Sequence, residues 1–332
     1  MRRLLSMIML LLAAGTLSPA VVAVAAIHRP TGPSPQGFGV RLFDVPGSAA
    51  NNPRALRYII DYLPTGTVIH RRILVMNQEA RTAHFTVYAD AARISNGSFT
   101  GDSGATRSEL TGWISVQHQT LTLRPHASSM DMITIKVPPG ATRGEHYGVI
   151  WVQQAAHAWA SSGLGVNEVT RVGIRIYLAV GQGGAPPTSF AITSITGHRS
   201  ARGWPSMVAH VDNTGGRAVD LSGTARLSGG PGDIEAGPLT EQGVITLAPG
   251  QSGNVTFAPP RSLPDGTWQA KVTLVSGLTT AAATATVVFS VASQAGLSMV
   301  SWLGIILGVL AVAIAVAVIL AHSARQRGRA LA

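Results

Sequence analysis

The residues best equipped for chemistry stand in "RGEHYGVIWVQ", Arg143 to Gln153, where Glu145, His146 and Tyr147 precede an apolar run. A carboxylate, an imidazole and a phenol in succession could form an acid–base corner. They could also be the lead-in to a half-buried strand. Glu109 and Glu145 could act as paired carboxylates if the fold brought them together. His70 and His84 could meet if their strands were neighbours. The ten histidines form no HExxH motif, and the chain has no GxSxG elbow and no glycine-rich phosphate loop. None of the 332 residues is cysteine, which excludes disulfides, zinc–thiolate sites and a cysteine nucleophile. These observations predict a non-enzyme with no catalytic residue, no metal and no cofactor.

One segment reads differently. "QQAAHAWASSGLGVNE", Gln153 to Glu168, is longer than a hairpin turn and carries His157 and Trp159 among small residues. Long loops with an aromatic are frequent binding loops, so His157 and Trp159 are the candidate ligand-binding residues.

The elements around these residues follow from hydrophobic period. "SMDMITIKV" (Ser129–Val137) and "VGIRIYLAV" (Val172–Val180) alternate apolar and other residues with a period of two. Short runs of this kind between Gly, Pro, Asn and Ser predict an all-β chain of two tandem Ig-like sandwiches. The two halves repeat one pattern. "VMNQEARTAHFTVYA" (Val75–Ala89) aligns without a gap on "VDNTGGRAVDLSGTA" (Val211–Ala225), matching Asn77 to Asn213 and Phe85 to Leu221. "LTLRPHASS" aligns on "ITLAPGQSG", and Gly144 on Gly266. A one-residue gap then pairs Tyr147 with Trp268. In the second copy Trp268, Ala270, Val272 and Leu274 share one face, so Tyr147, Val149 and Trp151 are expected to face the first core. Tyr147 would stand as in a tyrosine corner. Gly148, Ile150 and Val152 would form an apolar reverse face that needs cover.

The ends carry membrane signals. Residues 1–26 read as a secretory signal peptide, with Arg2 and Arg3 ahead of an apolar run and small residues after it. An uncleaved anchor is the alternative. Leu297 to Ala321 is 25 residues without a formal charge. As a helix it would span roughly 37 Å, enough for a bilayer core of about 30 Å. Trp302 suits the outer interface, and Arg325, Arg327 and Arg329 place the tail inside. The expected layout is sandwich 1 over 27–182, a Gly/Pro linker over 183–189, sandwich 2 over 190–296, a single transmembrane α-helix over 297–321 and a basic cytoplasmic tail over 322–332. That is a single-pass type I protein of the cell membrane with its bulk outside.

Charge is uneven. Residues 27–182 hold 14 basic and 9 acidic side chains, a net of +5, whereas 190–296 hold 6 of each. A basic outer module favours anionic partners such as wall polymers or acidic lipids, or serves solubility. Nucleic acid is not expected, since no aromatic–basic stacking platform is visible.

"RRILVMNQEARTAHFTVYAD" with "LTLRPHASSMDMITIKVPPGATRGEHYGVIWV", within this layout, resembles the WxL-interacting proteins of Gram-positive cell surfaces. The resemblance implies a peptidoglycan-binding Ig-like domain, a second Ig-like domain that meets a surface protein partner, and a membrane helix. The function expected is therefore non-catalytic binding of cell-wall glycan or anionic wall polymer, of a surface protein, or of both. The alternative is a membrane-tethered, chaperone-like assembly factor, similar to a periplasmic pilus chaperone, which offers a strand edge to a secreted client.

Overall fold

The computed structural model describes residues 37–154, 169–290 and 307–317. The first module holds β1 (Phe38–Leu42), β2 (Ile59–Leu63), β3 (Val68–Asn77), β4 (Ala83–Ser95), β5 (Ser98–Gly101), α1 (Glu109–Trp113), β6 (Ile114–Val116), β7 (Thr120–Leu123), β8 (Ser128–Lys136), β9 (Gly144–Gln154) and β10 (Arg171–Val180). One sheet runs β1-β3-β8-β6; the facing sheet runs β2-β10-β9-β4-β5, with β7 also on β4. The second module holds β11 (Ala191–Arg199), β12 (Pro205–Asp212), β13 (Val219–Ser228), β14 (Ala236–Thr240), β15 (Ile245–Leu247), β16 (Ser252–Phe257), β17 (Gly266–Ser276) and β18 (Thr279–Phe289). Its sheets run β11-β12-β16 and β14-β13-β17-β18, with β15 on β13.

Each pair of sheets closes over its own apolar core. In the first, Ile73, Val75, Ile133 and Ile135 meet Phe85, Val87, Ile150, Val152, Ile174 and Ile176. In the second, Met207, Val211 and Phe257 meet Leu221, Trp268, Val272 and Phe289. β-branched residues at alternate positions suit this packing, because one face of each strand is fully removed from water. The chain is thus mostly β, in two sandwiches.

The internal repeat extends to individual hydrogen bonds. Asn77 is buried, and its Nδ2 donates to the carbonyls of Arg81 (2.8 Å) and Leu123 (3.1 Å), while its Oδ1 accepts from the Glu79 N–H (3.0 Å). Asn213 does the same with Arg217 (2.9 Å), Leu247 (2.9 Å) and Gly215 (3.0 Å). His126 and Gly250, matched in the alignment, both take a left-handed conformation at φ 57° and 74°.

The faces of β9 differ from expectation. Ile150 and Val152 belong to the sandwich core, and Gly148 packs beneath Leu110. Tyr147, Val149 and Trp151 point the other way. Their face is covered as well: Trp151 Nε1 donates to the Asp102 carbonyl at 3.0 Å, and Tyr147 joins a small cluster with Phe99, Tyr177 and Ala218. The gap in the alignment caused the error. Without it His146 falls on Trp268, Ile150 on Val272 and Val152 on Leu274. The corner contact confirms this register. His146 Nε2 donates to the Thr142 carbonyl at 2.8 Å, and Trp268 Nε1 donates to the Pro264 carbonyl at 3.3 Å, each four residues back.

A helix covers 307–317, inside the expected membrane span. No helix among the described residues is long and apolar enough to cross a membrane. The remainder of 297–321, and the expected signal peptide, lie outside the described residues.

Candidate functional site

The strand β10 pairs with β9 along its whole length, from Arg171↔Gln153 to Val180↔Gly144. On its other side β2 pairs with it in parallel, but only from Ile176↔Ile59 to Val180↔Leu63. The Gln154 N–H donates to the Thr170 carbonyl at 3.0 Å. In an antiparallel ladder this sets the alternation, so even-numbered residues of β10 exchange hydrogen bonds with β9 and odd-numbered ones turn away. The Gly181 N–H, which donates to Leu63 on β2 at 3.1 Å, fits that parity. The amides of Arg171, Gly173 and Arg175 and the carbonyls of Arg171 and Gly173 therefore face a row that no described strand fills, while the Arg175 carbonyl already meets the start of β2. The gap is five residues long, about 16 Å, and lies in line with β2.

The outer surface beside this gap is built by Trp151. Its ring lies so close over Gly173 that a Cβ there would be 2.6 Å from Cε3, and over Gly101 a Cβ would be 2.8 Å from Cζ2. Glycine on both sides lets the indole lie flat across the sheet. The Arg171 guanidinium sits 4.6 Å from the indole centroid. Two edges of the second sandwich are better closed. Gln242 donates to Thr256 on β16 at 2.8 Å, and Gly197 of β11 lies so close to β18 that a Cβ there would be 2.9 Å from the Val288 carbonyl.

The filled half of the row leads into a polar junction with the second module. Asp220 is nearly buried. It accepts from Arg54 Nε (2.7 Å), Thr246 Oγ1 (2.7 Å) and the Tyr177 hydroxyl (3.1 Å), with Arg175 Nη1 at 3.4 Å. Ala218 is clamped by its backbone. Arg54 Nη1 donates to its carbonyl at 2.9 Å, and Glu145 Oε2 accepts from its N–H at 2.6 Å. The same carboxylate oxygen accepts from the Tyr147 hydroxyl at 2.7 Å. Arg175 also lies 4.8 Å from the Phe99 ring and 5.3 Å from the Tyr58 ring. Burial pushes the Glu145 carboxyl and the Tyr147 and Tyr177 phenols up, and pushes Arg217 down. The linker is fastened too, since the Gly184 N–H donates to the Tyr62 hydroxyl and the Gly215 N–H to the Ser189 carbonyl.

The pairs that could have done chemistry are separated. His70 bonds Thr134 and His84 bonds Thr122, on strands of different sheets. Glu109 accepts from the Thr142 N–H, and its carboxyl is held below the usual range by that bond. Glu145 turns toward the second module. Glu109 Oε2 reaches within 4.0 Å of His146 Nδ1, but His146 is spent on the Thr142 carbonyl and the Trp113 ring. Among the described residues no three His, Asp or Glu side chains are grouped to hold a metal. His157 and Trp159 lie outside the described residues. The half-filled row and the junction carry no local motif, and alternation along β10 gives no sign of where β2 stops.

No family model matches the chain, and no curated protein matches it. Among solved structures it is similar to the CupB2 chaperone of Pseudomonas aeruginosa, at 11% identity and a TM-score of 0.38, covering 70% of this chain and 97% of that one. It is similar to the Salmonella enterica SafA pilin in complex with the SafB chaperone, at 12% identity and 0.40, covering 75% and 97%. It is also similar to the CsuC–CsuE chaperone–tip adhesion subunit pre-assembly complex of Acinetobacter baumannii, at 11% and 0.37, covering 76% and 99%. At these TM-scores the likeness bears on neither mechanism nor partner.

Proposed function

We propose that the chain is a non-catalytic, membrane-tethered binding factor that takes up an extended segment of a secreted protein along Arg171–Arg175 of β10. The observation that carries this reading is the half-filled row beside β10. An added strand would continue the line of β2 and satisfy the outward amides of Arg171, Gly173 and Arg175 and the carbonyls of Arg171 and Gly173. Main-chain bonds would supply affinity, and the side chains that meet Arg171 and Trp151 would supply selectivity. The junction around Asp220 holds Arg175 and Tyr177 in place, so the receiving strand is preorganised. Tethering is supported by the uncharged stretch Leu297–Ala321 and the arginines after it. The same features support a location of the two sandwiches outside the cell.

Wall binding by the first module is the second reading, supported by its net charge of +5, from 14 basic and 9 acidic residues over 27–182. Its proposed anchors, His157 and Trp159, belong to the segment that leads directly into the open half of β10.

The test exploits the parity of β10. Arg171→Pro removes an outward N–H and leaves the bonds to β9 intact. Arg171→Ala removes the side chain alone. The full chain in detergent is titrated with a panel of extended peptides drawn from secreted proteins, and binding is followed by amide exchange on β10. Peptides should bind wild type and Arg171→Ala and fail on Arg171→Pro. Equal binding to Arg171→Pro, or no protection of Arg171–Arg175 with any peptide, overturns the reading. Co-sedimentation of the chain with insoluble wall, lost on Trp159→Ala, would put the wall reading first.

A further inference from the structure

The second sandwich has two unlike ends. Ala218, Thr246 and Ser276 lie at the end that meets the first module. The strand registers place Arg199↔Pro205, Gly266↔Phe289 and Ser228↔Gln269 at the opposite end. The far end is thus made of the turns 200–204, 229–235 and 258–265 and the point where the chain leaves β18. These turns carry exposed apolar side chains: Trp204 is 47% exposed, Ile234 46% and, on the departing strand, Val288 52%. Trp204 does not stand alone, because the Arg261 guanidinium from the neighbouring turn lies 4.2 Å from its ring centroid. Arg202 is exposed two residues before it. The turn itself is fixed, since Arg199 donates to the carbonyls of Gly203 and Leu263, both at 2.7 Å, and pairs with Asp265.

An exposed indole backed by a guanidinium has two kinds of polar–apolar boundary to suit, a protein partner or a lipid headgroup layer. The chain itself favours the second. The uncharged stretch begins at Leu297, seven residues after Ser290. Seven residues reach at most about 25 Å when fully extended, so this end of the sandwich is held within touching distance of any bilayer that the stretch enters. Tryptophan seats its ring at the headgroup level, and arginine forks onto phosphate. We infer that the far end of the second sandwich docks on the membrane surface, with Trp204 in the headgroup layer and Arg202 and Arg261 on lipid phosphates. This rests on the tethering part of the proposed function. It would stand the molecule upright, with the β10 row at the end remote from the bilayer.

The chain has no cysteine, so a single introduced one gives a unique probe. Ala201→Cys marks the Trp204 turn, and Thr280→Cys marks the opposite end of the same sandwich; both positions are exposed. The full chain carrying a fluorophore at either site is reconstituted into phosphatidylcholine–phosphatidylglycerol vesicles containing a headgroup-linked nitroxide quencher. Flotation reads tethering, and quenching reads docking. Quenching at 201 should exceed that at 280 several-fold. Trp204→Ala should reduce it to the level at 280 while the chain still floats, and Trp204→Phe should retain most of it. A floating chain with equal, weak quenching at both sites overturns docking and leaves tethering intact. A chain that does not float overturns both.

Discussion

A buried primary amide is tolerated in an apolar sandwich only if its hydrogen-bonding capacity is used, and Asn77 and Asn213 show how. Each holds the turn between two strands against the strand that crosses it, Asn77 through three carbonyls and one amide and Asn213 through two carbonyls and one amide. Removing the side chain would leave those backbone groups unpaired and buried, at about 1–3 kcal/mol for each. Asn213→Ala is therefore expected to lower the stability of the second sandwich by about 3 kcal/mol, read from the urea midpoint of the full chain. Asn213→Asp should do worse, because it points oxygen at two carbonyls. A change of a few tenths would show that water replaces the amide at the turn. These asparagines were legible in the sequence, because each stands six residues ahead of the strand that follows it, Asn77 before Ala83 and Asn213 before Val219, and the copies align there without a gap.

At the scale of elements, β9 and β17 are the same strand with different outer faces. β17 exposes Gln269, Lys271 and Val275 and buries Trp268, Ala270, Val272 and Leu274. β9 is apolar on both faces, because its outer side lies under the β4–β5 hairpin and beside the second sandwich. Period two identifies a face only where the opposite face meets water. This is why the pattern was readable in β17 and misassigned in β9. Trp268, with no exposed surface, is the largest side chain of its core. Trp268→Ala should cost about 3–5 kcal/mol, seen as a lower thermal midpoint for the second sandwich. His146→Ala, at the matching corner, should cost less, since His146 fills little of the core and is partly exposed. The reverse order would mean that the corner hydrogen bond, not aromatic burial, holds these strands.

For the whole molecule the decisive feature is the junction. Glu145 binds its proton more tightly in the assembled chain than its ordinary value of 4.5, first because of burial and against the lowering effect of Tyr147 and Ala218. A carboxyl raised in the folded state destabilises that state once it must ionise. The junction should therefore be firmest below the ordinary carboxyl range and weaken as pH rises through it toward the raised value, with the loss complete above. Asp61, also raised by burial, adds in the same direction, while Asp44, lowered by Arg72, opposes it. The Glu145 share is isolated by comparison with Glu145→Gln. Urea midpoints of wild type and variant should converge near about pH 4 and diverge toward about pH 8, with wild type falling relative to the variant. A difference that is constant with pH would show that Glu145 does not ionise within the junction.

The sequence by itself determined what depends on neighbours along the chain. Strand period, turn residues and the repeated Asn turn specify two β-sandwiches, and the uncharged stretch near the end specifies the expected anchor. The tertiary structure decided what depends on residues far apart in the chain. Arg54 and Asp220 meet across 166 residues. Glu145, one of two carboxylates that the sequence alone left free to pair, is committed to the backbone of Ala218. The open half of β10 exists because β2 pairs with only part of it, and strand length on one chain segment carries no record of how far another segment will run beside it. Local pattern fixes which faces are apolar; only packing fixes which of them are closed, and against what.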